Sequence, residues 1–340
     1  MKVAVYYRND DIRLEERPVP SISENEILVK MKACGICGTD VMEWYRIKKA
    51  PRVLGHEMAG KIVETGNNVK GFKKGDRVFV SHHVPCYKCR HCIQNNYTAC
   101  ESLHTGNYDP GGFAEYIRAP EENVKYGTFI LPENISFDEA AMIEPLGCAI
   151  AGQKLIGLKE DQTVLIIGSG ISGILHIQLS KLKRAKVIVT DIAEDRLKKA
   201  EEFGADHVID AHKYTIEDLK RINDNKPADV VIVCAAAKHA IENAISSVDR
   251  KGKILFFAVP ETDMTIPSQR FWRDEISLFF SYGAGPVDLR EAIDLIDKGL
   301  INANKMITHK VPLSEIMKGF KLVSEAKNSL KVIVVPDNEI

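Results

Sequence analysis

Residues 163–182 read TVLIIGSGISGILHIQLSKL: a short unbroken apolar run, a turn of glycines, then apolar residues at helical spacing. A strand buried on both faces has no polar alternation, and glycines at its end allow the tight turn that launches a helix back across the sheet. The pattern recurs as KVIVTDI, then EDRLKKAEEFG with Gly204 as its C-terminal cap, then ADVVIVCAA and GKILFFAV. Apolar strands separated by amphipathic helices predict an α/β fold built on a doubly wound parallel sheet, with ISLFFSYG as its last strand. So apolar a strand at a sheet margin predicts pairing with a second subunit.

The same turn carries ligand chemistry. Gly168, Gly170 and Gly173 form G-x-G-x-x-G, and Ile171 and Ser172 stand in the first turn of the helix, whose free N–H groups suit a pyrophosphate. Asp191 ends the next strand, eighteen residues after Gly173. A carboxylate there accepts the ribose hydroxyls and repels a 2′-phosphate, which favours NAD over NADP. Arg196, on the following helix, is either a contact for the adenosine end or a solvated helix residue.

A chain of 340 residues exceeds one ordinary core, so two domains are expected. The first 120 residues are rich in Gly and Pro, with short β-branched runs such as EILVKMKA, AGKIVETG and DRVFVSH, the texture of a mostly-β domain with long loops. After Gly285 come the helical stretches DLREAIDLIDKG and LSEIMKGFKLVSEA and a strand LKVIVV, which should rejoin the amino-terminal domain because the nucleotide-binding sheet is already complete. Forty-six basic against forty-seven acidic residues leave a net charge of -1, which argues against nucleic acid or an anionic membrane as a partner. No signal-like segment opens the chain and no apolar run approaches the ~20 residues of a membrane span. A soluble cytoplasmic protein acting on a small molecule is expected.

Six of the eight cysteines lie between Cys34 and Cys100. Cys86, Cys89, Cys92 and Cys100 are spaced C-x2-C-x2-C-x7-C; four thiolates on a short loop close a tetrahedral zinc, the character of a structural site, whereas iron–sulfur runs have other spacings. Cys148 and Cys234 stand in apolar surroundings as small buried residues. CGICGTDVMEW leaves three readings of Cys34 and Cys37: half a zinc site, a redox pair, or one working cysteine beside a bystander. Cys37, His56 and Glu57 are then the remaining candidates for chemistry.

CGICGTD, a GHE whose histidine lies nineteen residues after Cys37, the cysteine quartet, GGFAEY, the EP at residue 144 and the glycine turn together resemble the zinc-dependent medium-chain alcohol dehydrogenases, over essentially the whole chain. The resemblance implies a GroES-like catalytic domain at residues 1–149, a Rossmann NAD-binding domain at 150–285 and a return to the catalytic domain at 286–340. It implies a catalytic zinc at Cys37, His56, Glu57 and Glu144, with Thr39 as the hydroxyl that takes the alcohol proton and Asp40 orienting the histidine. Zinc would act as Lewis acid and NAD as hydride acceptor. Family members are dimers or tetramers.

Two departures from the family pattern narrow the branch. Glu144 stands where the best-known alcohol dehydrogenases have cysteine, and Gly38 where they have a basic residue; both resemble the polyol and threonine dehydrogenase branch. Met42 stands where many relatives carry a relay histidine, so a proton leaving Thr39 would need water, the cofactor ribose or a neighbour such as Glu43. The expected function is oxidation of a secondary alcohol of a polyol or sugar. L-threonine 3-dehydrogenase, a polyol-phosphate dehydrogenase and a non-catalytic NAD- and zinc-binding protein are the alternatives.

Overall fold

A computed structural model describes residues 1–260 and 262–339. The chain divides into two compact units, Met1–Gly147 with Gly283–Ile340, and Cys148–Tyr282. No helix among the described residues is long and apolar enough to cross a membrane.

In the second unit six parallel strands run in the order His207–Asp210, Lys186–Asp191, Thr163–Ile167, Ala228–Val233, Val248–Phe256 and Ser277–Phe280. Counted along the chain this is 3-2-1-4-5-6, the doubly wound order. Thr163–Ile167 is buried along its whole length, which is why it reads as an unbroken apolar run. His207–Asp210 escaped the sequence reading because an edge strand that is only partly covered can be as short and polar as HVID. The opposite edge is Ser277–Phe280, where Phe280 is 57% exposed although its ring stacks on Phe256 at 5.2 Å. The helix Glu194–Glu202 is followed by Gly204 at φ +104°, a left-handed exit that glycine adopts without strain.

The first unit holds a seven-stranded and a three-stranded sheet. Ile27–Gly35, Glu57–Thr65 and Arg77–Ser81, the strands expected from the β-branched runs, are antiparallel neighbours. The tail contributes the helices Pro286–Asp297 and Ile316–Glu325 and the strand Lys331–Val335, which pairs with Ile27–Gly35 through Ile333↔Gly35 and Val334↔Cys34. Ile307–Pro312 adds a parallel strand beyond it, one whose ITHKVP sequence gave no apolar run to recognise.

Phe320, on the helix Ile316–Glu325, fixes the tail to the core. It is 2% exposed, with its ring 6.1 Å from that of Tyr6 and 5.9 Å from that of Phe113. Phe320→Ala should cost ~3–5 kcal/mol, read as a lower denaturant midpoint of this unit. An unchanged midpoint would show that the tail is held by its strand alone.

Candidate active site

The strand Ile27–Gly35 stops two residues before Cys37, which caps the 3-10 turn Gly38–Val41. The Sγ of Cys37 accepts from the backbone N–H of Thr39 at 3.4 Å and from its hydroxyl at 3.3 Å, while Asp40 Oδ2 accepts from Cys37 N at 3.1 Å. Reciprocal bonds of this kind fix a turn from both ends. Cys34 is left behind on the strand, fully buried, with its sulfur filling the space a side chain at Gly112 would need. Burial pushes its thiol well above the usual range. All eight cysteines are free thiols, and Cys37 is the member of the pair that reaches the site.

His56 and Glu57 enter from the next strand, where Glu57 pairs with Gly35. His56 Nδ1 lies 3.4 Å from Oδ1 of the fully buried Asp40, which leaves the other ring nitrogen for a metal. Burial disfavours the Asp40 carboxylate, but His56 and Arg46 hold it below its ordinary range. One donor atom from each of Cys37, His56 and Glu57 lies within 4.8 Å of the others.

Glu57 itself is fully buried. Its Oε2 accepts from Lys331 Nζ, which also donates to the Ile36 carbonyl at 3.3 Å. Its Oε1 is buried without a hydrogen-bond partner. A thiol, an imidazole and a buried carboxylate with donor atoms this close together are the donor set of a cation site, and these residues fit zinc. A side chain at Gly35 would run into both Glu57 Oε2 and Lys331 Cε, so only glycine leaves room for the pair. Lys331 was missed from sequence. Its signal was a lysine opening the otherwise apolar strand KVIVV, every residue of which is buried.

Glu144 is not in the group of three. It sits in the first turn of the helix Ile143–Ile156, 8% exposed, and helps Glu57 and Cys37 keep Lys331 charged against the effect of burial. Glu43 accepts from Asn9 N at 2.8 Å, so its carboxylate is engaged with the first hairpin. Arg46, from the basic stretch RIKK, folds back onto Thr39 and Asp40.

The second cluster is Cys86, Cys89, Cys92 and Cys100, whose sulfurs all lie within 4.8 Å. Burial raises the Cys100 thiol, yet the backbone N–H groups of Cys86 and Leu103 bring it down to about 6. Four sulfurs with one favoured as thiolate suit a closed tetrahedral zinc. Cys148 and Cys234 are half-buried, a correction to the sequence reading; Cys234 lies just past Val233, where its strand ends.

In the glycine turn Gly168 has φ +93°, and a side chain at Gly173 would strike the Gly168 carbonyl. Gly170 caps the helix Ile171–Leu182 without a side-chain bond, so the N–H groups at Ile171 and Ser172 meet no capping side chain. Asp191 accepts from Ser169 N at 2.6 Å, Ser169 Oγ at 3.0 Å and Ala193 N at 3.0 Å. It therefore ties the turn to the end of its own strand, a role not read from sequence. Arg196 borders the same turn, its Nη1 3.7 Å from where a Gly170 Cβ would stand.

Residues 23–127 match the alcohol dehydrogenase GroES-like domain family, and residues 172–298 match the zinc-binding dehydrogenase family. The chain belongs to the zinc-dependent medium-chain dehydrogenases. This dehydrogenase is 32% identical to the sorbitol dehydrogenase of Halalkalibacterium halodurans, over 95% of each chain. It is also 32% identical to the D-arabitol-phosphate dehydrogenase of Enterococcus avium, over 97% of this chain and 95% of that one. A zinc-binding dehydrogenase from Sinorhizobium meliloti 1021, solved with NADP bound, matches its structure with a TM-score of 0.87 at 28% identity, over 98% of this chain and 99% of that one. The protein is thus an oxidoreductase that uses zinc and a nicotinamide dinucleotide.

Within this dehydrogenase, Lys331→Met would strand the buried charge of Glu57. It should cost ~3–5 kcal/mol, measured as a fall in the denaturant midpoint. Adding Glu57→Gln to the same chain should return most of the loss, and wild-type stability in the single variant would refute the pairing.

Proposed function

We propose that this dehydrogenase interconverts a secondary alcohol of a polyol or sugar-type substrate and its ketone, with NAD as the hydride carrier, in the cytoplasm. The observation that carries the reading is the gathering of one donor atom each from Cys37, His56 and Glu57 within 4.8 Å, with Glu57 buried and its Oε1 without a hydrogen-bond partner. One thiolate, one imidazole and one carboxylate leave zinc neutral overall and open to a substrate oxygen. Zinc bound there supplies Lewis acidity, and NAD accepts the hydride. Cys37, His56 and Glu57 hold the metal, with Glu144 as a ligand that exchanges onto it. Asp40 fixes the His56 ring through Nδ1, and Thr39 meets the substrate hydroxyl. Cys86, Cys89, Cys92 and Cys100 hold a structural zinc.

The identity to both a sorbitol and an arabitol-phosphate dehydrogenase supports a polyol, free or phosphorylated. With Arg46 committed to Thr39, a phosphate would fall to exposed Lys48 and Lys49. The edge strand Ser277–Phe280, with Phe280 exposed, supports a homodimer or homotetramer joined there.

A panel of polyols, polyol phosphates and L-threonine, followed by NADH absorbance with the zinc-loaded protein, tests the substrate. Turnover of a polyol or its phosphate is expected, and turnover of threonine alone would replace this reading with threonine dehydrogenation. Asp191 decides the coenzyme. Asp191→Ser should narrow the preference for NAD over NADP in kcat/KM by at least tenfold, because a carboxylate beside a 2′-phosphate repels it. A wild-type enzyme that prefers NADP would overturn that assignment.

A further inference from the structure

Arg52 stands four residues before His56 and is half-buried, yet among the described residues it has no hydrogen-bond or ion-pair partner. A guanidinium brought partly out of water is ordinarily paired, because it loses hydration that only an acceptor or an anion returns. Lys48 and Lys49 can add charge from the solvent side, but they are exposed and their ammonium groups stay hydrated.

The strand register turns Arg52 toward the site. In the antiparallel pair Arg52 lies opposite Tyr6, so both side chains leave the sheet on one face, while Val53 goes into the core on the other. The Tyr6 hydroxyl donates to Asn9 Oδ1 at 3.0 Å, and Asn9 Nδ2 donates to the Val41 carbonyl at 2.6 Å, which ties that face to the turn Gly38–Val41. Burial lowers the Arg52 guanidinium below its ordinary range, Arg46 lowers it further, and Asp40 and Tyr45 offset part of this. Burial, His83 and His56 press His82 well below its ordinary range, and Arg46 and Arg52 add to the effect. Arg52 is thus within electrostatic reach of Asp40 and of His82, whose ring centre lies 4.9 Å from that of His56.

Neither acid of this stretch is left over for it. Asp40 accepts from Cys37 N and lies against His56 and Arg46, and Glu43 accepts from Asn9 N. Residues 40–52 carry four cations, Arg46, Lys48, Lys49 and Arg52, against these two acids. We propose that Arg52 receives an anionic group of the substrate, and that the substrate class is therefore a polyol bearing a phosphate or a carboxylate rather than a neutral polyol. The planar fork of a guanidinium meets either group with two parallel hydrogen bonds. The proposal rests on the polyol reading above and narrows it.

The test uses the zinc-loaded full chain with NAD and matched sets of a polyol, its phosphate and its acid. One anionic member should have a KM about tenfold or more below that of the neutral polyol, the worth of one hydrogen bond between charged groups. Which member wins tells phosphate from carboxylate. Arg52→Met should erase the preference by raising KM for the anion. Arg52→Lys should return only part of it, because an ammonium keeps the charge and loses the fork. Inorganic phosphate gives a readout without turnover: it should raise the thermal midpoint of the wild type more than that of Arg52→Met. A wild type that prefers the neutral polyol, or a preference for the anion that survives Arg52→Met, would overturn the role of Arg52 and leave the dehydrogenase reading intact. Equal phosphate shifts in the two proteins, or zinc lost from Arg52→Met, would do the same. A wild type that turns over no polyol in any form would remove that reading and this proposal with it.

Discussion

The contact between Lys331 and Glu57 ties the candidate active site to the fold. It joins residues 274 apart in sequence, both almost completely buried, and it is made under a glycine because nothing larger fits at position 35. Two charges taken out of water together gain little net stability, since desolvation offsets most of their attraction. What the pair supplies is position. With Oε2 held by the ammonium, the carboxylate is fixed, and its second oxygen is left without a hydrogen-bond donor. A cation held with Cys37 and His56 would meet a carboxylate already desolvated.

The two clusters of the first unit solve opposite problems. Cys86, Cys89, Cys92 and Cys100 come from a stretch of fifteen residues, and the backbone N–H of Cys86 donates to the sulfur of Cys100. Such a site can close on its metal with little help from the rest of the chain. The Cys37, His56 and Glu57 group draws on a turn after one strand, the start of a second and the lysine of a third. Its geometry is only as good as the sheet register, where Gly35 must face Glu57. A site that must stay open to a substrate gets its rigidity from the sheet, since its ligands alone do not enclose the metal.

How much of this could be read from the sequence follows from the same distinction. The glycine turn, Asp191 and the cysteine quartet announced themselves because residue type and spacing are local properties; Cys37, His56 and Glu57 were marked by the family resemblance. The parallel, doubly wound sheet was legible because each buried strand had to be an apolar run, but its strand order was not; His207–Asp210 and Ile307–Pro312, half covered, left no such run. Lys331 and Arg46 were not legible as site residues, for different reasons. Lys331 lies on a strand far along the chain, and only the rule that a buried lysine needs an anion could have marked it. Arg46 sits in an ordinary basic cluster, RIKK, and nothing in its spacing reveals that the chain folds back seven residues onto Thr39. Cys34 is the converse: its C-x-x-C spacing is incidental, because it stays buried on the strand that ends at Gly35 and lies outside the group formed by Cys37, His56 and Glu57.

The discontinuity of the first unit bears on the order of events during synthesis. Cys148–Tyr282 is one uninterrupted stretch, whereas the first unit needs Met1–Gly147 and then everything after Tyr282. A ribosome therefore releases all of the strands of the nucleotide-binding sheet before it releases Lys331–Val335. Until that last strand arrives, the edge of Ile27–Gly35 that it will cover is unpaired and Glu57 has no counter-ion. The cysteine quartet can take its metal early from residues already made, but the candidate catalytic site is completed only once Lys331 has been made. In this chain the candidate site waits for Lys331, and a nascent protein stopped before it carries the nucleotide fold without the means to use it.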